Sequence, residues 1–284
     1  MVVHITADNW AETREYLRRR SARFTALAVR AAATRRRATA DWSVTDTAAH
    51  VATLARACSG LVDPGHAPSP FTGFGDLLER TVVDTVDEFN EVLLERLPGR
   101  APHELADATR HDVDHILRVT EGADPTAPVS WLGGSRVPLA GVLAHLLNEF
   151  QVHGRDIANA ARLPWRVPPR EAAPFFEQFL VGVTDYGYGR LLDGHGPPPR
   201  GRVAVEFRSE HTTPVTMALT DGFATVERPD GEPDVRLSFD PTVLNLMLFG
   251  RVSKARAVLT GKVVIRGPRP WKLPGFLRIV RLPS

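Results

Sequence analysis

The sequence predicts two parts, an α-helical bundle followed by a smaller α+β domain. Three observations carry that prediction. Apolar residues recur at helical spacing through roughly the first 160 positions. Prolines at 164, 168 and 169 then interrupt the chain. From Val203 onward apolar and polar residues alternate, as they do in strands with one buried face. The expected domains are residues 1–165 and 166–284. With 284 residues, 43% hydrophobic and 24% charged, the chain has a globular composition and the length for two ordinary domains.

A first helix is expected from about Asp8 to Ala38, anchored by Trp10, Tyr16, Leu17, Phe24 and Leu27. Its arginine clusters, Arg18 to Arg20 and Arg35 to Arg37, read as a solvated face. Neither interleaves the aromatic residues that a nucleic-acid surface would use, so nucleic acid is not the expected partner despite a pI of about 9.0. Ser43, with Asp46 three residues on, reads as a capping box opening a second helix that runs to about Cys58 and stops at Gly60. A Pro/Gly-rich loop (Asp63-PGHAPSPFTGFG) leads to a helix over 76–97, and a shorter helix covers 103–119. Pro138 opens the helix of the segment Leu139-AGVLAHLLNEFQVHGRDIANAA. Several antiparallel helices with one long connection suggest a bundle.

After the prolines a helix is expected over 170–192, followed by a break at Gly194-HGPPPRG. Strands are expected at Val203-AVEF, Val215-TMAL, Ala224-TVE and Val235-RLSF, with Asp221-Gly222 as a hairpin turn. Pro241-TVLNLMLFG reads as a short apolar helix and Lys262-VVI as a last strand. The N-terminus lacks a basic-then-apolar leader, and no run approaches the roughly 18 apolar residues that span a bilayer. The expectation is a cytoplasmic protein without a membrane span.

The chemistry-bearing feature is an acid and a base one helical turn apart. Glu149 and His153 stack on one helix face, about 5–6 Å apart at Cβ. That face also carries Val142, Leu146, Phe150, Ile157 and Ala160. A carboxylate and an imidazole on a core-facing stripe are costly unless they are paired or bound to a metal. His50, on the second helix beside Val51, Leu54, Ala57 and Cys58, is a third polar residue on an apolar face. Two imidazoles and one carboxylate suit zinc or another first-row divalent ion and leave a coordination position open.

Blander readings stand beside this one. Most His–Glu pairs at this spacing are helix-stabilising contacts. His103, Asp107, His111 and His115 repeat at the same interval and read as a polar, solvent-facing stripe. His145 is either a further ligand or a hydrogen-bonded histidine at the core edge. Asp156 either orients His153 or is an ordinary surface acid. Cys58, the chain's single cysteine, reads as packing rather than as a nucleophile, and it excludes both an intramolecular disulfide and a cysteine-based zinc site. Arg251 either holds a substrate or cofactor carboxylate or caps the helix that ends at Gly250.

Two segments carry a family resemblance. Trp42-SVTDTAAHVA resembles the W-x-V-x-D-x-x-x-H segment of the DinB-like metal-binding bundle, in the branch containing mycothiol-dependent maleylpyruvate isomerase. Glu149-FQVHGRDIANA resembles that branch's second motif, E-x-x-x-H-G-x-D-x-A. The tail from Asp234 to Gly267 is similar to sterol carrier protein type 2-like domains. The resemblance implies a divalent metal, usually zinc, on His50, Glu149 and His153. It also implies mycothiol or a similar thiol as cofactor, and isomerisation or S-transfer on a small electrophilic substrate. The residues leave a rival open, a lipid-, small-ligand- or metal-binding protein without turnover. Phe239, Leu244, Leu246, Met247, Leu248 and Phe249 would line its tunnel or simply fill a small core.

Overall fold

The computed structural model describes residues 2–65, 75–95, 97, 99–193 and 200–280. Most of the loop after Asp63 and of the break at Gly194 lies outside them. Helix α1 (Ala7–Ala31) opens on a Thr6 capping box and ends seven residues before the expected Ala38. The run Arg35 to Arg37 offers no apolar side chain to bury, and Arg37 turns back onto the carbonyls of Ala40 and Asp41. Helix α2 (Val44–Val62) has the expected box, with Ser43 Oγ accepting from the Asp46 N–H at 3.1 Å, but it runs through Gly60.

The helix expected over 76–97 is broken into α3 (Gly75–Arg80) and α4 (Val86–Glu95). Between them Val82 is extended, and the Val83 N–H donates to the Leu191 carbonyl at 2.9 Å. This tertiary hydrogen bond, at the β-branched run Thr81-Val82-Val83, overrides the helical pattern. Helix α5 (Pro102–Val119) follows. A short hairpin, β1 (Pro128–Ser130) and β2 (Arg136–Pro138), leads into α6 (Leu139–Ala161).

Helices α1, α5, α2 and α6 pack in that cyclic order, each against two neighbours. Helix α6 is buried along nearly its whole length, with Val142, Leu143, Leu146, Leu147, Phe150 and Ile157 fully enclosed. Gly154 permits one close approach, since a Cβ there would sit 2.2 Å from the Trp165 ring. Trp165 donates to the Gln151 carbonyl at 3.0 Å and carries the Arg20 guanidinium over its ring. Arg20 is therefore buried and paired with Glu171, not part of a solvated face.

The helix expected over 170–192 spans α7 (Pro169–Pro174), a π-helical stretch at Phe175–Leu180 and α8 (Val181–Tyr186). Its Phe175 and Phe179 belong to the bundle core, while Phe176 and Val181 belong to the second core. The second core lies on a five-stranded sheet of order β5-β4-β3-β6-β7: β3 (Arg202–Ser209), β4 (Thr212–Thr220), β5 (Phe223–Glu227), β6 (Val235–Phe239) and β7 (Val263–Arg266). The pairing of β3 with β6 is parallel and the other pairings are antiparallel. Asp221 and Gly222 both have positive φ, 49° and 93°, as a tight hairpin turn requires. Helices α9 (Pro241–Leu248), α10 (Lys254–Leu259) and α11 (Leu273–Ile279) complete the part, the last two without a clear sequence signal. Among the described residues no helix is long and apolar enough to cross a membrane.

Candidate metal centre

Packing of α2 against α6 brings His50 to Glu149 and His153. Glu149 Oε2 lies 3.5 Å from His50 Nε2 and 3.2 Å from His153 Nε2. One donor atom from each residue lies within 4.8 Å of the other two, and all three residues are buried. Tetrahedral zinc with bonds of ~2.1 Å spaces its donors about 3.4 Å apart. The two separations to Glu149 are near that edge, and with the third held within 4.8 Å the donor set fits a divalent metal in chemistry and lies close enough to converge on one.

Asp156, one turn beyond, accepts from His153 Nδ1 at 3.2 Å. That contact directs Nε2 toward Glu149, as an outer carboxylate does for a metal-binding histidine. Asp156 also accepts from Arg251 Nη2 at 2.9 Å. Arg251 in turn donates its main-chain N–H to Leu246 O at 2.7 Å and its Nη1 to Phe249 O at 2.5 Å, closing the end of α9. The second domain thus reaches the bundle's polar cluster through one guanidinium. The sequence gives no sign of this pairing, because its partners stand 95 positions apart.

Charges in the cluster balance only among themselves. Burial pushes the Glu149 carboxyl up, but hydrogen bonds from His153 and His50 outweigh it and hold it well below the usual range. Burial pushes His153 down, yet its bonds to Asp156 and Glu149 raise it to about 9. His50 is pushed down by burial and by the neighbouring His153 against the pull of Glu149. His145 is also pushed down by burial. Its Nε2 is 3.6 Å from Glu149 Oε1, and its buried Nδ1 has no hydrogen-bond partner. Trp42 packs on the His50 ring at 4.7 Å between centroids. Cys58 is buried, and burial with the nearby Glu149 pushes its thiol up, which suits packing and not nucleophilic attack.

The cluster forms the wall of a cavity of about 600 Å³. Much of the rest is apolar, with Leu54, Phe89, Trp131, Phe175, Phe179 and Phe249 contributing. The sequence marks Leu54 beside His50 and Phe249 as a lining or core residue, but not Trp131, which sits in a short turn, or Phe89, which follows the break between α3 and α4. Arg251 and Asp156 line the same space. The competing four-residue stripe divides: His103, Asp107 and His111 are exposed, but His115 is buried where α5 packs on α2. His115 Nε2 lies 3.2 Å from Asp63 and its Nδ1 meets Arg118, so the stripe is not wholly a solvent face.

Comparison with known proteins follows the same division of the chain. The family model described as mycothiol maleylpyruvate isomerase N-terminal domain matches residues 15–158. That of the SCP-2 sterol transfer family matches residues 200–269. Two crystal structures of the mycothiol-dependent maleylpyruvate isomerase, one of a mutant form, align at 16% and 14% identity. Each alignment covers 90% of this chain and 92% of theirs, with a TM-score of 0.49. The apo form of sterol carrier protein 2 from Yarrowia lipolytica aligns at 16% identity over 24% of this chain and 62% of that one, with a TM-score of 0.19. No curated protein matches at a significant level.

Proposed function

This chain belongs to the mycothiol maleylpyruvate isomerase N-terminal domain family, and from that premise we propose that it activates a low-molecular-weight thiol at a divalent metal. His50, Glu149 and His153 hold the metal, zinc being the first candidate. The thiol is mycothiol or a close chemical relative, and the substrate is a small electrophile. The observation that carries the reading is the convergence of two imidazoles and a carboxylate, with donor atoms within 4.8 Å of one another, on the wall of a ligand-sized cavity.

A bound divalent cation would supply the charge that keeps a thiol deprotonated at neutral pH. The protein's own groups do the rest. Glu149 contributes one negative charge and leaves cationic character for the thiol. Asp156 accepts the proton on His153 Nδ1 and so keeps Nε2 facing the cluster. Arg251, braced by Asp156, marks the wall nearest the cluster and limits where a substrate can lie. Apolar side chains that share the cavity lower the local polarity, which strengthens each of these electrostatic effects. Attack by sulfur on a conjugated alkene, bond rotation and expulsion of the same sulfur give isomerisation. Attack with loss of a leaving group gives S-transfer, with the thiol proton released to solvent.

The match to a sterol-transfer family supports a second reading, carriage of an apolar ligand by the C-terminal part. Against it, Phe176, Phe207, Phe239 and Phe276 pack on one another and fill the core of that part. Thiol consumption with an electrophile, wild type beside His50→Ala, separates the two. The metal–thiol reading expects a loss of more than 100-fold, beyond the 10–100-fold typical of outer partners. Unchanged turnover in His50→Ala would remove the metal from the mechanism.

A further inference from the structure

The permanent charges that line the cavity are mostly negative. Among the described residues that line it, Arg251 is the one arginine or lysine, whereas Asp41, Asp87, Glu91, Glu149 and Asp156 are acidic. Arg251 is not free to form a carboxylate fork of its own. Its Nη2 and Nε already meet Asp156, and its Nη1 meets the Phe249 carbonyl. Three of these acids, Asp41, Asp87 and Glu91, are solvent-exposed and so belong to the solvent side of the lining. Acidic groups at an opening repel anions before they arrive. Leu54, Leu78, Val86, Phe89, Phe175 and Phe179 in the same lining offer no donors to a carboxylate, and apart from the histidines the uncharged donors are Thr39, Asn90 and the indoles of Trp42 and Trp131. Buried carboxylates without partners are strongly disfavoured.

We propose that the electrophile of this site is an uncharged, largely apolar molecule, on the scale of one or two aromatic rings, and not a dicarboxylate. The inference rests on the thiol-activating reading and names its substrate class. A divalent cation does not restore an attraction for dianions, because Glu149 and the thiolate together cancel its two charges. The apolar lining contributed by α2, α4 and the stretch Phe175–Leu180 is the specificity surface, and it shares with the cluster a space of about 600 Å³. That volume exceeds the need of a small acid and accommodates a ring system together with a thiol.

Equilibrium binding to the zinc-loaded full chain saturated with 2-mercaptoethanol tests this with two probes, 1-naphthol and maleate, followed by titration calorimetry. The expected result is 1-naphthol binding at least tenfold tighter than maleate. A second protein, Asp87→Lys with Glu91→Lys, changes only exposed positions. It should bind maleate about three- to tenfold better at low ionic strength, with the gain erased by salt, and 1-naphthol as before. Maleate binding as tightly as 1-naphthol, or neither probe binding at all, overturns the inference. Failure of the underlying reading looks different: 1-naphthol would bind, but no thiol would be consumed with either a neutral aromatic electrophile or a dicarboxylate one.

Discussion

Each half of the molecule buries carboxylates, and the two halves neutralise them in different ways. In the C-terminal sheet, Glu206 on β3 is flanked by Arg208 and Arg236, and Asp234 accepts the Ala204 N–H and binds Arg269 and Lys272. Every partner there is a permanent cation or a backbone donor. In the bundle, Asp112 follows the same rule with Arg56. Glu149 does not, because its neighbours are His50, His145 and His153. Histidines become cationic only when protonated, and as neutral rings they are metal ligands. The contrast teaches that burial of a charge alone does not mark a site. Burial among titratable donors that share one open space does.

If that contrast is functional, Asp156→Asn should weaken metal binding by about 10–100-fold through loss of the His153 contact. The folded state should persist. Competition with a chromophoric chelator measures the affinity, and circular dichroism checks the fold. Unchanged affinity would reduce Asp156 to a brace for Arg251.

The structural acids should behave in the opposite way. Glu206→Gln should cost about 1–3 kcal/mol of stability, the scale of a buried polar group losing its partners, and leave metal content and thiol turnover intact. Because Arg208 and Arg236 are about half exposed, with side-chain exposures of 54% and 49%, solvent screening places the effect toward the lower end. Denaturant melts measure it, and a loss of turnover in this variant would blur the distinction between the halves.

Acidity gives a third and smaller test. His153 in the metal-free protein titrates at about 9, above the ordinary histidine value near 6.5. A raised histidine stabilises the fold fully below about pH 6.5 and loses that contribution as pH rises through about 9. Metal binding requires the neutral ring and so releases that proton. Chelator-treated protein should therefore lose thermal stability across this window, by an amount on the order of a few degrees. Zinc-loaded protein should lose less. A flat profile for the chelator-treated protein would mean that Asp156 and Glu149 do not share the His153 proton.

Local signals were the legible ones. The Ser43–Asp46 box, the Asp221-Gly222 turn and the four-residue spacing of Glu149 and His153 are each set within a few residues, so periodicity and capping chemistry reveal them. His50 could be joined to the pair only because it too is polar on an apolar face. What escaped was fixed by distant partners. The Val83–Leu191 hydrogen bond splits the helix expected over 76–97, Trp165 and Glu171 draw Arg20 inward, and Arg251 crosses from the second domain to Asp156. None of these leaves a mark in the periodicity of the segment it alters.

Elemental analysis of the purified protein, wild type beside His153→Ala, decides whether the Glu149 cluster is a metal centre. About one zinc or other divalent ion is expected per wild-type chain, and little or none in a folded His153→Ala chain. A wild-type protein that is fully folded, metal-free and unable to take up zinc on addition would contradict a metal centre there.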